Sequence, residues 1–320
     1  MSVDFTVAIP TYNGATRLPQ VLDKLKLQTG IEQLNWEILV VDNNSSDSTA
    51  EVVKEYQENW ANSIPLRYCF ESQQGLAFAR QKAVEAAKGK YVGFLDDDNL
   101  PTPNWIQAAF IFGENHPQAG ACSGQIHGDF EVEPPQNFEQ IQQFLAIREL
   151  GYKAYLFEPD KLRLPPGAGL VIRKQAWIES VPNRLSLIGR VGNTLVAGED
   201  YELLLYMHKS GWQIWYNPEM QIDHQIPRQR LERSYLLNLA RGTGLATFSL
   251  RIINASTWQK PFIFVRTCLG NLRRLLIYFL KYKGNLQTEL VPAFQKEFFW
   301  GSFLSVFYPL PRLLRKPSKV

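Results

Sequence analysis

"YVGFLDDDNLP", Tyr91 to Pro101, carries an apolar segment directly into three adjacent aspartates. Crowded carboxylates repel one another, and each raises the cost of ionising its neighbour. The sequence therefore predicts that something compensates this charge, and a bound cation is the first candidate. In an extended segment side chains alternate, so we expect Asp96 and Asp98 to face one way and Asp97 the other. An acidic turn ended by Pro101 is the simpler alternative.

Short apolar segments with a strand pattern alternate with helical patterns in the first hundred residues. The strand pattern appears in "FTVAIP" (Phe5 to Pro10), "WEILVVD" (Trp36 to Asp42), "LRYCF" and "YVGFL", and "GLAFARQKAVEAAKG" lies between the last two as a helix. Ser48 and Glu51 match a capping box that starts another helix. Strands separated by helices imply right-handed crossovers. We therefore predict an α/β fold with a doubly wound, mainly parallel central sheet flanked by helices.

Polar clusters follow three of these strands. "PTYNG" (Pro10 to Gly14) ends the first strand, "DNNSSDST" (Asp42 to Thr49) the second and "DDDN" (Asp96 to Asn99) the fourth. Functional loops of a doubly wound sheet lie at the carboxyl ends of its strands, so we expect these clusters to converge on one edge. No GxGxxG motif follows the first strand and no GxxxxGK[ST] motif is present. The phosphate cradles of the dinucleotide fold and the P-loop are therefore missing, and a nucleotide would need a metal to supply the charge.

A second acidic pair lies in "VAGEDYELLLYMHKSGWQIWYNP", Val196 to Pro218. Glu199 and Asp200 are predicted to start an amphipathic helix that ends near Gly211. Acidic residues favour a helix N-terminus through the helix dipole alone, which is the alternative to a chemical role. "PPGAGL" (165–170) allows close approach of the backbone, which suits an acceptor or donor-sugar pocket or a simple turn.

Five ordered segments make the chain resemble a family 2 glycosyltransferase of the GT-A fold: "VAIPTYNG", "ILVVDNNSSDST", "GLAFARQKAVEAAKGKYVGFLDDDN", "GAGLVIRKQAW" and "GEDYELLLYMHKSGWQIWYNP". The resemblance covers roughly residues 4 to 245. Within the family, "QIHGDFEVEPP" and "YNPEMQIDHQIPR" are similar to glycosyltransferases of cyanobacterial hormogonium polysaccharide synthesis. Gln81 stands where the family commonly has asparagine after the arginine of its third motif, which puts an amide contact there in doubt.

The resemblance implies that a sugar is transferred, with inversion, from a nucleoside diphosphate sugar to a polysaccharide or polyprenyl-linked saccharide acceptor. UDP is the favoured carrier, with GDP or dTDP as alternatives. The residues expected to bind the nucleotide sugar are Pro10, Thr11, Tyr12, Asn13, Asp42, Arg80, Asp96, Asp97 and Arg230.

The resemblance also implies a metal and a base. Asp96, Asp98 and His224 would hold Mg²⁺ or Mn²⁺. Asp200 would be the catalytic base, and Glu199 would orient the acceptor. These roles suit the chemistry, because a metal stabilises the charge of the leaving diphosphate and inversion needs a base on the opposite face.

Several nearby residues have a second interpretation. His224 is equally well explained as a structural histidine. Arg228, Arg230 and Arg233 follow it closely and would either clamp the departing diphosphate or face lipid phosphates or water.

Charge is distributed unevenly along the 320 residues, whose formal net charge is +3. Residues 260–320 hold 11 Lys or Arg and 2 Asp or Glu, so this tail carries +9 and the rest of the chain −6. We predict a GT-A catalytic domain over 1–228, with a nucleotide-sugar-binding half (1–126) and an acceptor-binding half (127–228). A helical, basic and aromatic C-terminal extension is predicted over 229–320.

The extension contains two apolar segments. "FIFVRTCLGNLRRLLIYFL" is interrupted by three arginines. Phe298 to Leu310, in "FFWGSFLSVFYPLP", would extend about 20 Å as a helix against a hydrocarbon core of about 30 Å. Neither is predicted to cross a membrane. Their composition fits helices that lie in the interface of an anionic membrane, and a helical cap packed on the main domain is the alternative.

The cysteines and the charge distribution limit the expected location of the protein and its expected binding partners. Cys69, Cys122 and Cys268 have no metal-site spacing, and no signal peptide precedes the first apolar segment. We expect a cytoplasmic protein, peripheral on the cytoplasmic face of the membrane. A nucleic-acid partner is not expected, because the bulk of the chain is acidic and carries no recognition motif.

Two other functions are open on the sequence alone. One is a catalytically silent GT-A-like subunit that binds a nucleotide sugar, against which the presence of Asp96, Asp98 and Asp200 argues. The other is a soluble nucleotidyltransferase, which would need a Gly-rich, lysine-bearing entry loop that this chain lacks.

Overall fold

A computed structural model describes residues 2–60, 64–190, 195–282 and 288–308. The strands in these ranges are β1 (Val3–Thr11), β2 (Trp36–Asp42), β3 (Leu66–Phe70), β4 (Gly89–Phe94), β5 (Asn99–Pro101), β6 (Ala119–Phe130), β7 (Tyr155–Leu156), β8 (Val171–Arg173) and β9 (Gln213–Ile226). The α-helices are α1 (Leu18–Lys26), α2 (Thr49–Glu58), α3 (Leu76–Ala86), α4 (Trp105–Asn115), α5 (Lys174–Ser180), α6 (Glu199–Lys209), α7 (Arg228–Leu231), α8 (Arg233–Ile253), α9 (Lys260–Lys281) and α10 (Leu290–Leu304).

The strands form one mixed sheet. Their order is β3-β2-β1-β4-β8-β6-β9-β5, and β7 pairs with β9 beside this path. The first four strands along the chain pair in parallel, as the helical crossovers between them require. β8 is antiparallel to both β4 and β6, whereas β6 and β9 are parallel. The predicted α/β fold with a flanked central sheet is confirmed, and its uninterrupted parallel part lies in the N-terminal half.

Both faces of the sheet are buried under helices. Successive side chains of a strand point to opposite faces, and in β1 Val7 and Ile9 join one apolar cluster while Ala8 joins the other. Helices α1, α2 and α4 contribute to the first cluster and α3, α5 and α6 to the second. The strands are therefore rich in apolar residues on both sides, which leaves their ends as the places for polar side chains.

One predicted helix start is wrong in detail. Ser48 precedes α2, but its side chain makes no capping hydrogen bond. Asp47 instead accepts a hydrogen bond of 3.1 Å from the backbone N–H of Thr49. The acidic side chain one residue earlier therefore satisfies the first free N–H of the helix.

The C-terminal helices differ in how they pack on the rest of the protein. α10 packs closely along α8, where Cβ atoms built on Gly244 and Gly301 would lie 2.5 Å and 2.3 Å from backbone oxygens of the other helix. Arg241 of α8 also donates a hydrogen bond of 2.8 Å to Glu297 of α10. α9, in contrast, buries only Thr267 and Asn271. α10 thus forms a packed cap, while α9 exposes most of its apolar side chains.

None of the helices in the described ranges combines the length and the apolar character that crossing a bilayer requires. The predicted domain boundary after residue 228 coincides with the passage from β9 to α7. A division into two domains there stays a prediction.

The close crossing of α8 and α10 can be tested with glycine substitutions. Gly301→Ala should lower the free energy of unfolding by about 1–3 kcal/mol, because the added methyl group meets the backbone of α8. Gly270→Ala in α9 is the matched control, since nothing lies within 4 Å of its Cβ position. The control should be neutral or stabilising by up to about 1 kcal/mol. Urea denaturation followed by circular dichroism measures both, and equal effects would contradict the close crossing.

Candidate active site

Each of the three adjacent aspartates lies beside an arginine from a distant part of the chain. The pairs are Asp96 with Arg80 (3.5 Å), Asp97 with Arg17 (2.9 Å) and Asp98 with Arg230 (2.9 Å). The compensation that the sequence assigned to a metal is supplied in this structure by guanidinium groups. The segment itself is a turn rather than an extended strand, because the N–H of Asn99 donates to the carbonyl oxygen of Asp96. The alternation expected for an extended segment therefore does not describe it.

Asp97 ties two strand ends together. Thr11 at the end of β1 donates a hydrogen bond of 2.6 Å to one of its oxygens, and Arg17 donates to both oxygens at 2.9 Å. Gly14 is needed here, because a Cβ on it would lie 2.5 Å from the Asp97 carboxylate. Asp97 thus joins the β1 loop to the acidic turn, and its contact with a nucleotide stays a prediction.

The loops after β1 and β2 are joined in the same way. Asn13 adopts a φ of +49° and accepts a hydrogen bond of 2.8 Å from the N–H of Ser46. Its own N–H donates to the hydroxyl of Ser45 at 2.9 Å. The predicted convergence of the polar clusters on one edge of the sheet is confirmed by these contacts.

The residues expected to line the nucleoside differ in accessibility. Pro10 is buried in β1, while the ring of Tyr12 is exposed. Asp42 is buried and accepts hydrogen bonds of 2.9 Å from the N–H of Ser45 and 2.8 Å from the hydroxyl of Tyr68. Burial and this hydrogen bond raise the pKa of Tyr68 to about 12, so its hydroxyl remains a donor. Tyr12 is the member of this group whose side chain is open to a ligand.

Asp98 belongs to a buried cluster with His224 and Arg230. Asp98 Oδ1 lies 3.6 Å from His224 Nε2, and Arg230 approaches both side chains, at 2.9 Å and 3.1 Å. Burial by itself would raise the pKa of Asp98, but His224 and Arg230 hold the pKa below its ordinary value. Asp98 is therefore a carboxylate anion at neutral pH.

His224 is placed by the sheet. It pairs with Asn99 across β5 and β9, directly beside the acidic turn. In the ranges described, its Nδ1 atom is buried without a hydrogen-bond partner. Over the same ranges, no three His, Cys, Asp or Glu side chains are grouped so that they could hold a metal ion. The predicted trio of Asp96, Asp98 and His224 is therefore not a ready-made three-ligand site.

Arg80 connects the acidic turn to the second acidic pair. Only 1% of this residue is exposed, and its guanidinium lies 5.5 Å from the ring centre of Phe94. It forms an ion pair with Asp200 and lies 3.5 Å from Asp96 and 3.9 Å from Glu199. Burial raises the pKa of Asp96, and Arg80 opposes that shift. Arg80 is therefore a buried link between two carboxylate sites.

Asp200 is held at the start of α6 from two sides. The N–H of Gly167 donates to Asp200 Oδ2 at 2.9 Å. A Cβ on Gly167 would lie 2.3 Å from Arg80 and 2.4 Å from Asp200, so the predicted close backbone approach is confirmed here. The Asp200 side chain is 20% exposed and that of Glu199 5%. Asp200 is thus the acid of this pair that a ligand can reach.

The protein has clear relatives of known class. The model of glycosyl transferase family 2 matches residues 6–176, more than half of the chain. The chain belongs to this family.

Two relatives illustrate the similarity. The glucosyl-dolichyl phosphate glucuronosyltransferase of Haloferax volcanii is 23% identical over 53% of this chain and 54% of its own length. The validoxylamine A glucosyltransferase of Streptomyces hygroscopicus subsp. jinggangensis is 25% identical over 74% of this chain and 59% of its own length. The chain thus spans little more than half of these curated relatives.

Solved structures support the fold. The mannosyltransferase PcManGT of Pyrobaculum calidifontis, in complex with GDP-Man and Mn²⁺, has a TM-score of 0.61 at 16% identity, covering 96% of this chain and 88% of its own. S. aureus TarS 1-349 in complex with UDP-GlcNAc has a TM-score of 0.52 at 13% identity, covering 95% and 91%. The predicted family and its fold are confirmed, and the hormogonium subgroup stays a prediction.

Sequence reasoning missed two residues that organise this candidate site. Arg17 pairs with Asp97 across 80 residues of sequence, and nothing near Arg17 signals that partner. Asn43 accepts a hydrogen bond of 2.7 Å from the N–H of Gly75 and donates one of 2.7 Å to the carbonyl of Gln73. Its position directly after Asp42, at the end of β2, is the only signal that could have identified it.

The role of Arg80 can be tested through stability. Arg80→Gln should lower the free energy of unfolding by about 3–5 kcal/mol at neutral pH, because it leaves the buried Glu199 and the partly buried Asp96 and Asp200 without their cation. The loss should be smaller at a pH of about 5. Without Arg80 the folded-state pKa of Asp96 rises further, and a carboxyl group with a raised folded-state pKa destabilises the fold as the pH rises above its unfolded-state pKa, so this cost diminishes as the pH falls.

Urea denaturation at the two pH values provides the measurement. Arg80→Lys keeps the charge and is the matched control, with a smaller loss expected. A deficit in Arg80→Gln that is the same at both pH values would show that lost packing, rather than lost charge, explains it.

Proposed function

We propose that the protein is an inverting glycosyltransferase. It would transfer a sugar from a nucleoside diphosphate sugar, with UDP favoured, to a hydroxyl of a polysaccharide or polyprenyl-linked saccharide. The observation that carries the proposal is the reachable Asp200, joined through buried Arg80 to Asp96 in a chain of glycosyl transferase family 2. The similarity of segments 125–135 and 216–228 to polysaccharide transferases makes an exopolysaccharide the first acceptor to test.

In the proposed reaction, Asp200 and the acidic turn have separate tasks. The acceptor oxygen attacks the anomeric carbon while the bond from that carbon to the diphosphate oxygen breaks, and the bonding electron pair leaves with the diphosphate. Asp200 takes the proton of the acceptor hydroxyl. Asp200 Oδ1 is buried against Arg80, whereas Oδ2 accepts from the N–H of Gly167 and keeps a second lone pair for this proton.

Arg80 and Glu199 are buried next to Asp200 and would support this step without touching the acceptor. Arg80 would hold the Asp200 carboxylate in position through the ion pair between them. Glu199 is buried beside Arg80 and accepts a hydrogen bond of 3.0 Å from the N–H of Gly198. Its orientation of the acceptor is proposed to act through the start of α6 rather than by direct contact.

The residues beside the acidic turn supply donor atoms for a divalent cation. Asp98 and His224 would hold it together with Asp96 once these side chains close around it, because carboxylate oxygen and imidazole nitrogen are suitable donors. His224 Nε2, the ring nitrogen 3.6 Å from Asp98, would exchange its contact with Arg230 for the cation. Bound Mg²⁺ or Mn²⁺ would neutralise negative charge on the departing diphosphate. Arg230 lies against Asp98 and is the residue we assign to the phosphate oxygens.

Two variants separate the proposed roles. Asp200→Asn should lower the transfer rate by about 10²–10⁴-fold with little effect on nucleotide binding, because it removes the base while Asp96 and Asp98 keep Arg80 and Arg230 beside them. Asp98→Ala should weaken nucleotide binding in the presence of Mn²⁺. Calorimetric titration of UDP, GDP and dTDP, with and without Mn²⁺, measures binding, and release of nucleoside diphosphate measures transfer.

Binding and transfer measured together also distinguish an active enzyme from a catalytically silent subunit. Binding of a nucleotide sugar by the wild type without turnover on any saccharide acceptor would favour that alternative. Full activity of Asp200→Asn would refute its assignment as the base.

We also propose that the extension lies on the anionic, cytoplasmic face of a membrane, as a peripheral attachment. α9 contains five Lys or Arg and no Asp or Glu. Its most exposed apolar side chains form what we call the α9 stripe, and recur at intervals of seven and four residues along about 27 Å of helix. They are Phe262 (71%), Leu269 (62%), Leu276 (57%) and Leu280 (76%). Basic residues beside such a stripe are typical of helices that lie in a membrane interface.

The stripe can be tested with vesicles. The double variant Leu269→Gln, Leu276→Gln should lower affinity for anionic vesicles by at least about tenfold, because two side chains would no longer enter the acyl boundary. Ile178→Gln in α5 is the matched control, since Ile178 is 67% exposed but lies outside the extension. Cosedimentation measures both variants, and equal behaviour would contradict a role of the stripe.

A further inference from the structure

A cleft lies between the end of α8 and the beginning of α9. Its volume is about 430 Å³, within the range of small-molecule sites. Its lining combines guanidinium groups with aromatic and aliphatic side chains. The lining residues are Arg251, Asn254, Ala255, Trp258, Gln259, Phe262, Ile263 and Arg266.

The positive charge of this cleft has no counter-ion in the part of the chain that the structure describes. Arg251 is half-buried and donates a hydrogen bond of 3.2 Å to the hydroxyl of Thr267. Burial, followed by the charges of Arg274 and Arg266, lowers the pKa of Arg251. Arg251 and Arg266 line the cleft and Arg274 lies close to Arg251, and none of them forms an ion pair with a carboxylate of the described ranges. The cleft therefore differs from the acidic turn, where every charge is matched.

Unpartnered polar atoms lie in and beside the cleft. Asn254 lines it, and its buried Oδ1 has no hydrogen-bond partner among the described residues. Asn271, one helical segment further along α9, is 1% exposed and accepts a hydrogen bond of 3.3 Å from Arg274, while its Nδ2 has no partner in the same ranges. Buried polar atoms are almost always bonded. Asn254 Oδ1 is an acceptor, so the group that completes its bonding in the cleft must be a hydroxyl or N–H donor, while Asn271 lies outside the lining.

The apolar part of the cleft continues into the surface of α9. Phe262 belongs both to the cleft and to the α9 stripe, and Trp258 beside it is 69% exposed. An exposed tryptophan next to basic residues is typical of the level of lipid headgroups. A ligand that contacts both the arginines and the aromatic side chains of the cleft needs an anionic, oxygen-rich group and an apolar chain in one molecule.

We infer that the cleft binds the phosphomonoester headgroup of a membrane lipid, which deepens and rests on the proposed attachment of the extension to a membrane. Arg251 and Arg266 hold the phosphate oxygens, since guanidinium groups match phosphate geometry. Trp258 and Phe262 contact the glycerol and the first part of the chain. The remaining stripe of α9 lies along the acyl boundary.

The experiment compares two lipids on the full chain. Phosphatidylcholine vesicles carry either phosphatidic acid, which ends in a phosphomonoester, or phosphatidylserine, at matched zeta potential. The readout is the ratio of the two affinities, measured by cosedimentation for the wild type, Arg251→Gln, Arg266→Gln and the control Arg273→Gln, an exposed arginine of α9 outside the cleft.

Wild type should prefer phosphatidic acid. Each cleft variant should lose about tenfold of that preference, the effect of one charge-assisted hydrogen bond. Arg273→Gln should weaken binding to both lipids by about fivefold and leave their ratio unchanged, because it removes only attraction to the surface. Should Arg251→Gln fail to fold by circular dichroism, the exposed Arg266→Gln carries the test.

Three outcomes overturn the inference in different ways. An unchanged ratio in both cleft variants would refute the cleft but keep the membrane attachment. Absence of wild-type binding to either vesicle would refute both, while nucleotide titration still decides the transferase proposal. Displacement from phosphatidic acid vesicles by inorganic phosphate at similar affinity would identify the cleft as a site for free phosphate.

Discussion

Charge compensation in the turn Asp96–Asp97–Asp98 is the constraint on which the rest of the site depends. Three adjacent carboxylates, two of them buried and one partly buried, each need a nearby cation, since desolvation and mutual repulsion act on all of them. Guanidinium groups from the beginning of α1, from α3 and from α7 supply these cations. The three arginines thereby bring three distant segments of the fold to one loop.

The three pairs have different consequences. The Asp97 pair is internal and fixes the loop of β1, so one aspartate of the three is committed to architecture. The Asp96 pair passes through Arg80 to Asp200, which links the edge of the parallel strands to the start of α6. The Asp98 pair reaches the first turn of the C-terminal helices. A single acidic turn therefore connects the loop after β1, the start of α6 and α7.

The sequence predicted what local patterns determine. Apolar periodicity and polar strand ends identified β1, β2 and β4 and the edge where the site lies, and the residues Glu199 and Asp200 marked the start of α6. Partner choice was not predictable, because Arg17 and Asp97 meet across 80 residues and depend on the register of the sheet. The division of the tail, with α10 packed on α8 and α9 exposed, was equally hidden, since both helices have apolar and basic residues.

The position of Arg230 bears on how the protein is made. A nascent chain emerges from its N-terminus, and its domains fold as units during synthesis. The turn with Asp98 is synthesised well before β9 and α7, so a chain that ended after α6 would hold Asp98 without His224 and Arg230. Charge compensation of this turn in its native form therefore has to follow the synthesis of β9 and α7.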